Sequence, residues 1–181
     1  INVEWLFGFR WLKFTEDMRF AAFNSTPPYP PTTFYDLDVE NNLLGTQMGA
    51  RIDRCLSSCL SLSLGVKFGI YNNDIYARQS IRDGAGTYAT ASTGGFAGDD
   101  YVHASRKDDV AGLGELDLGL NYIVNNNWRV NVGYRAIGIA GVALAPTQIP
   151  RSFTDYNDVR RIKSNGDLML HGAYFGLEWS F

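Results

Sequence analysis

Apolar and polar residues alternate along much of the chain with a period of two. In the segment 60–71 every second residue is apolar, whereas the residues between them are mainly Ser, Gly and Lys. The same alternation recurs in five further segments, at 3–11, 44–53, 115–124, 128–136 and 173–181. A period of two is that of a β-strand whose two faces meet different environments. The pattern therefore predicts six strands, and no stretch shows a convincing helical period.

The connections between these segments alternate in length. Two are short, at 54–59 and 125–127, and three are long, at 14–43, 72–109 and 141–167, although the pattern leaves open how far strands extend into the long ones. Short turns at one end and long loops at the other are typical of outer-membrane barrels, in which about 9–11 residues suffice for a tilted strand to cross the bilayer. We therefore expect the short turns and both chain ends to be periplasmic and the long loops to be extracellular.

Alternation alone does not say which face is inside, because a soluble barrel such as a lipocalin alternates as well, with its apolar residues inside. Two features favour the opposite arrangement. Glycines, which a narrow and curved interior needs, lie on the polar face at Gly8, Gly45, Gly49, Gly65, Gly69, Gly119, Gly133 and Gly176. All four tryptophans lie on the apolar face, mostly toward strand ends, as in the aromatic belts of membrane barrels. The apolar face is therefore predicted to meet lipid.

This orientation assigns individual side chains to the two faces. The side chains predicted to face lipid are Leu60, Leu62, Leu64, Val66, Phe68, Leu116, Leu118, Leu120, Val130, Val132, Phe175, Leu177, Trp179 and Phe181. Those predicted to line the lumen, meaning the barrel interior, are Glu4, Arg10, Arg51, Asp53, Lys67, Glu115, Asp117, Arg129, Arg135 and Glu178. In a narrow barrel these charges would pair across the interior, because an unpaired buried charge is unfavourable. In a wider barrel they would line a water-filled path and set its ion preference.

Composition narrows the class of protein. At 181 residues the chain is most simply one domain, here a single barrel domain over 1–181. Its net charge of −3 argues against a nucleic-acid partner, which would favour a basic surface. No window approaches about 18 continuous apolar residues, which argues against a transmembrane helix but not against a barrel. Cys55 and Cys59 are too few for a disulfide scaffold, and they fit a local disulfide and a pair of small turn residues equally well.

Candidate catalytic and metal-binding residues are few. The two histidines, His103 and His171, lie near Asp100 and Asp167 without diagnostic spacing, so we predict no catalytic residue and no enzyme activity. Four aspartates could gather Ca²⁺, but a solvated acidic loop is the simpler interpretation of Asp99, Asp100, Asp108 and Asp109. No metal-binding motif occurs, and we predict neither a metal nor a cofactor.

Five stretches resemble the beta-barrel porin family that is abundant in planctomycetes. They are "VEWLFGFRWLKFTEDMR", "DVENNLLGTQMGARID", "KDDVAGLGELDLGLNY", "WRVNVGYRAIGIAGVALA" and "SNGDLMLHGAYFGLEWSF", and together they cover nearly all of the chain. The resemblance implies an outer-membrane barrel. It also implies a longer protein, because family members carry further strands before the part that matches Val3 onward. The last strand, which ends on Phe181, resembles the signal by which the barrel-assembly machinery of Gram-negative bacteria recognises its substrates.

Taken together, the sequence predicts an all-β, antiparallel transmembrane β-barrel of the bacterial outer membrane. Six strands would make an unusually tight barrel, so we expect upstream strands or partner chains to complete it to eight or more. The expected function is a porin for passive passage of small solutes or a structural barrel with a charge-filled lumen, and the alternative is a soluble ligand-binding barrel. The expected partners are outer-membrane lipid, the barrel-assembly machinery through the C-terminal strand, and an oligomer or larger membrane complex, but no nucleic acid.

Overall fold

A computed structural model describes residues 1–23, 32–90, 97–153 and 155–179. Within these ranges six strands form one antiparallel sheet, in which each strand pairs with its neighbours in sequence. The strands are β1 (Asn2–Ala22), β2 (Thr33–Cys55), β3 (Leu60–Asp83), β4 (Val102–Ile123), β5 (Trp128–Val142) and β6 (Gly166–Trp179). Two short helices that the sequence did not predict, α1 (Ala145–Gln148) and α2 (Tyr156–Arg160), lie between β5 and β6. The chain is an all-β half-barrel, which confirms the six predicted antiparallel strands.

The first four strands are longer than the alternation predicts. They contain 21 to 24 residues each, about twice the number that a tilted strand needs to cross a bilayer. The reason is that the alternation changes phase within each strand. In β2 the exposed apolar residues Leu44 and Met48 lie on one face, whereas the buried residues Leu37, Val39 and Leu43 lie on the other. A strand predicted from one continuous apolar face ends where the alternation changes phase. Much of the sequence in the predicted long loops therefore forms strand.

The sheet curves around one of its faces. The side chains of Arg10 in β1 and Glu115 in β4 meet at 2.7 Å although β2 and β3 lie between them. A flat sheet would hold β1 and β4 about 14 Å apart, so the face that carries these side chains is concave. The register places the even-numbered residues of β1 and β6 and the odd-numbered residues of β2 to β5, as far as Ile139, on this concave face. The opposite face is convex.

Each strand has a half next to the short turns, at 56–59 and 124–127, and a half next to the long connections. We call these the turn half and the loop half of the sheet. The connection between β5 and β6 folds over the concave face of the loop half. There a buried apolar cluster joins the sheet to the connection through Leu37, Val39, Ile75, Ala143, Ala145 and Ile162. The loop half is therefore closed on its concave side by the protein's own chain.

Polar side chains hold the connection in place. The Asn41 side chain donates to the Ala143 carbonyl and accepts from the Ala143 N–H, both at 2.8 Å, as a neighbouring strand would. The Ala145 N–H donates to Glu16 of β1 at 2.8 Å. Gly141 begins the inward turn with a φ of +85° next to a register shift, and a Cβ there would lie 2.6 Å from the Val110 carbonyl oxygen. The connection is thus anchored to β1, β2 and β4.

Candidate functional site

The charged residues predicted to line the lumen share the concave face of the sheet. The register sets eight of the ten in four pairs of acid opposite base, namely Glu4 with Arg51, Lys67 with Glu115, Asp117 with Arg135 and Arg129 with Glu178. Arg10 lies opposite Gly45, and Asp53 lies opposite Asn2 and Ser63. Opposite charges directly across from each other stabilise an antiparallel pair. The register therefore sets acids of one strand against bases of its neighbour.

Five of these charges form one connected network at the middle of the concave face. Glu115 is only 3% exposed and accepts from Arg10 and from Lys67, each at 2.7 Å, while Arg135 lies 3.6 Å away. The Arg135 guanidinium donates to Asp117 at 2.6 Å. Carboxylates that are removed from water need such charged donors around them, because their desolvation is costly. The network ties together β1, β3, β4 and β5.

Tyr174 of β6 completes the network and passes close to two glycines. Its hydroxyl donates to Asp117 at 2.8 Å, and the Arg135 guanidinium stacks 5.5 Å from the centre of its ring. A Cβ on Gly133 would lie 2.4 Å from the ring, and one on Gly119 would lie 2.8 Å from the hydroxyl oxygen. A side chain at either position would collide with the tyrosine, so these two glycines of the polar face leave the space that it occupies.

The remaining predicted lumen residues lie toward the turn half. Arg129 donates to Glu178 at 3.3 Å, and Asn131 donates to the same carboxylate at 3.0 Å. Glu4 accepts from the Asn2 amide at 3.1 Å. The Arg129 and Glu178 side chains are more than half exposed, so this pair contributes little to stability. The predicted set thus divides into a central network around two buried carboxylates, Glu115 and Asp117, and an exposed group near the turns.

The residues predicted to face lipid lie on the convex face. All of them that the structure describes occupy positions of the opposite parity to the charged network, and many are exposed, as Phe68, Leu116 and Phe175 are. Phe181 lies outside the described residues. The same face carries the exposed tryptophans Trp5 and Trp11. An exposed apolar surface of this extent is rare on a soluble monomer.

The apolar convex band ends within two residues of one register line across four strands. Its last members are Trp11, Leu44, Ile70 and Val110, all at least 61% exposed. The next convex residues toward the loop half are Lys13, Asn42, Asn72 and Asp108. Nine to eleven residues of tilted strand give a band roughly 20–25 Å tall, which matches the hydrocarbon layer that barrels span. The change of phase within each of these strands therefore coincides with the end of the exposed apolar band.

Beyond this line a second charged group joins β1, β2 and β3 on the convex face. Asp36 accepts from Arg82 at 2.7 Å and also from Arg19. Partial burial raises the pKa of the Asp36 carboxyl, but the hydrogen bonds and charges of the two arginines outweigh it and hold this pKa below its ordinary value. The same stretch contains Asp38, whose pKa is raised by burial and by the charge of Asp17. Sequence reasoning missed this group because it lies in segments read as loops.

Other candidate chemistry stays scattered. Among the described residues no group of three or more His, Cys, Asp or Glu side chains could hold a metal ion. His171 hydrogen-bonds Tyr134 on the convex face, and Asp109 bonds Lys107 and Ser164. Cys55 and Cys59 are exposed free thiols beside the turn between β2 and β3. No helix in the described part of the chain is long and apolar enough to span a membrane.

A comparison with protein families gives a match over the whole chain. The family described as "Putative beta barrel porin-7 (BBP7)" matches residues 1–181, which is the whole chain. Neither a curated protein nor a solved structure matches significantly. The match agrees with the resemblance noted in the sequence and with the half-barrel architecture.

Proposed function

Since the chain belongs to this family of beta barrel porins, we propose that it forms part of the wall of a pore for small solutes. Membership of the family implies the outer membrane and suggests a role other than catalysis. The exposed apolar band on the convex face is the observation that carries the proposal. Lipid covers this band, and the charged concave face meets the water of the lumen. Such an arrangement satisfies every backbone hydrogen bond only when the sheet is closed.

The two sheet edges indicate how the wall is completed. Within the described ranges β1 pairs only with β2, and β6 pairs only with β5. An open edge inside a hydrocarbon layer would leave backbone groups unpaired, which costs several kcal/mol for each group. We propose that further strands, from a longer protein or from partner chains, pair with these edges and bring the barrel to eight strands or more. The short turns then face the periplasm.

The connection between β5 and β6 narrows the proposed pore. It packs against the concave face of the loop half. A solute that enters from the loop side passes this connection first and then Glu115, Lys67 and Arg135. Size is limited by the connection, and ion preference is set by the charges of the network.

A structural barrel is the second candidate, and the network itself favours it. Glu115 and Asp117 are buried and joined by direct hydrogen bonds to neighbouring side chains, which leaves the centre of the concave face interlocked. In a narrow barrel this network would fill the lumen and stiffen the wall without conducting.

Conductance of the protein purified in detergent and inserted into a planar bilayer separates the candidates. The pore predicts steady conductance steps, and a folded protein without steps favours the structural barrel. Glu115→Gln, which removes a negative charge from the lumen, should shift the reversal potential toward anion preference. Asp74→Asn removes the same charge from the convex face beyond the band and should leave the reversal potential unchanged. A chain that stays monodisperse without detergent would contradict both candidates and support a soluble barrel.

A further inference from the structure

A strongly basic cleft lies beside the loop half of β4, away from the central network. It has a volume of about 890 Å³ and is formed by β4 and the connection between β5 and β6. Its basic lining residues are Arg106, Lys107, Arg151, Arg160, Arg161 and Lys163. The cleft therefore gathers six of the 16 lysines and arginines of a chain whose net charge is −3.

The two acidic residues of the lining are occupied by structural contacts. Asp109 accepts from Lys107 at 2.7 Å and from the Ser164 hydroxyl, which ties β4 to the connection. Asp158 accepts from the backbone N–H groups of Arg151 and Ser152, which fold the connection before α2. Those backbone donors hold the pKa of Asp158 below its ordinary value, so it stays ionised. The lining keeps a formal charge of +4 around neutral pH.

Several cations of the cleft keep donors for a ligand. Arg106 stacks over the Tyr76 ring at 5.5 Å, which leaves the edge of its guanidinium available. Lys163 donates to the Ile149 carbonyl at 3.2 Å and has two further N–H groups. The Arg151 and Arg161 side chains are exposed. Guanidinium groups match the oxygens of phosphate in bidentate geometry, and like charges held this close favour a ligand of opposite charge.

The cleft lies beyond the end of the apolar band on β4, and this position bears on which ligands can reach it. Arg106 and Lys107 lie four and three residues beyond Val110, where the apolar band on β4 ends. At about 3.3 Å per residue this places them roughly 10–13 Å past the band along the strand, which is the depth of lipid headgroups. A phosphate on a headgroup and a phosphate on a dissolved solute could therefore both reach the cleft.

We propose that this cleft binds a polyvalent phosphate group through Arg106, Arg151, Arg161 and their basic neighbours. Binding of the phosphate does not depend on the pore, whereas a lipid source for it rests on the membrane placement proposed above. The ligand class follows from the charge and the number of planar donors, because a single carboxylate would neutralise only a small part of the cleft.

Titration calorimetry with inorganic pyrophosphate, on the whole protein in detergent at low salt, tests the proposal. We expect saturable binding that weakens about tenfold or more in the Arg151→Gln/Arg161→Gln variant and by a smaller factor in Arg161→Gln alone. The matched control is Arg54→Gln/Arg78→Gln, which removes the same charge at exposed positions outside the cleft and should change affinity less than about twofold. Circular dichroism verifies that each variant is folded.

Two results would overturn the proposal: no saturable binding by the unmodified protein, or an equal loss of affinity in the control variant. Reconstitution separates the two sources of phosphate. Vesicles of phosphatidylcholine with phosphatidic acid should compete with pyrophosphate if the headgroup is the ligand, when compared with vesicles of phosphatidylcholine alone. Equal pyrophosphate binding in both vesicles identifies a dissolved phosphate compound instead. A folded protein that binds pyrophosphate without conducting would leave the cleft assigned and the pore rejected.

Discussion

Tyr174 and the glycines beneath it show how single residues shape the concave face. The end of the ring lies next to Gly133, and the hydroxyl lies next to Gly119 and donates to Asp117 in the charged network. Glycine weakens an isolated strand, but here it makes room for a large side chain that links β4, β5 and β6. Tyr71 covers Gly69 in the same way, because a Cβ on that glycine would lie 2.6 Å from the tyrosine ring. Small and large residues on this face are therefore complementary.

The substitution Gly133→Ala should destabilise the protein. Its Cβ would lie 2.4 Å from the Tyr174 ring and 2.6 Å from the Leu118 carbonyl oxygen, so the ring must move and lose its bond to Asp117. We expect a loss of about 1–3 kcal/mol in the free energy of unfolding, measured by urea titration in phospholipid vesicles. Gly138→Ala is the control on the convex face of the same strand, where a Cβ meets nothing within 4 Å. Equal unfolding midpoints for the two variants would contradict the argument.

Asp36 and Asp38 should give opposite pH dependences. The folded pKa of Asp36 lies below its ordinary value of 3.8, so its contribution to stability is fully present above about pH 4 and is lost as the pH falls through the folded pKa. Asp38 has a raised folded pKa, so its charge opposes folding at neutral pH. We expect Asp36→Asn to lower the unfolding midpoint at pH 7 but less at pH 3, and Asp38→Asn to leave it equal or higher at pH 7. Urea titrations at the two pH values provide the measurement, and matching pH profiles for the two variants would refute it.

At the scale of elements, the connection between β5 and β6 behaves as a seventh packing element of the half-barrel. Its apolar residues are buried against β2 and β3, and its backbone is hydrogen-bonded by side chains of the sheet. Gln148 and Lys163 join its two ends, since the Gln148 amide donates to the Lys163 carbonyl at 2.6 Å and accepts from the Lys163 N–H at 2.8 Å. The connection is therefore built to stay inside the curve of the sheet.

Asn41→Ala should release this connection. The change leaves the buried N–H and carbonyl groups of Ala143 unpaired, which we expect to lower the free energy of unfolding by about 2–4 kcal/mol. Trypsin should then cut the folded protein faster at Arg151, Arg160 or Arg161. Asn42→Ala is the control at the neighbouring position of the opposite face, where the side-chain amide donates to Glu40 at 2.8 Å, and it should cost less than about 1 kcal/mol. Equal rates of cleavage in the two variants would contradict the role of Asn41 in holding the connection.

At the scale of the whole molecule, the sheet divides into two regions with opposite polarity. In the turn half the convex face is apolar and the concave face is charged, whereas in the loop half the concave face is apolar and the convex face is polar. A membrane around the turn half and water around the loop half explain both regions at once. In the proposed placement, the loop half stands above the membrane and is held together by its own buried apolar cluster.

Native and introduced thiols provide a test of this orientation in cells. Cys55 and Cys59 lie beside a short turn, which the proposal places in the periplasm. A maleimide attached to a large polyethylene glycol should label them only after the outer membrane is permeabilised. Ala85→Cys, in the connection between β3 and β4 and with both native cysteines changed to Ser, should be labelled in intact cells. Labelling of the native cysteines in intact cells would invert the proposed topology.

Much of the fold follows from local alternation. A period of two is a property of neighbouring residues, so it identifies the six strands and sorts the charged and apolar positions of the turn half onto opposite faces. Glu115 and Lys67 could be placed on one face from their parity alone. Their direct contact, and the reach of Arg10 to the same carboxylate, depend on register and curvature, which arise between strands that are distant in sequence.

The structure of the loop half depends on contacts between segments that are distant in sequence. The alternation left the extent of its strands open because the apolar residues change face there. Residues such as Leu37 and Ile75 are buried because Ala143, Ala145 and Ile162 of the connection pack against them. The two helices were missed because four or five residues are too few to show a helical period. The basic run at 160–163 is visible in the sequence. Folding brings it into one cleft with Arg106, which lies more than 50 residues away in the chain. Alternation within a strand is enforced by the local backbone, whereas phase, curvature and the cleft are enforced by packing between distant segments.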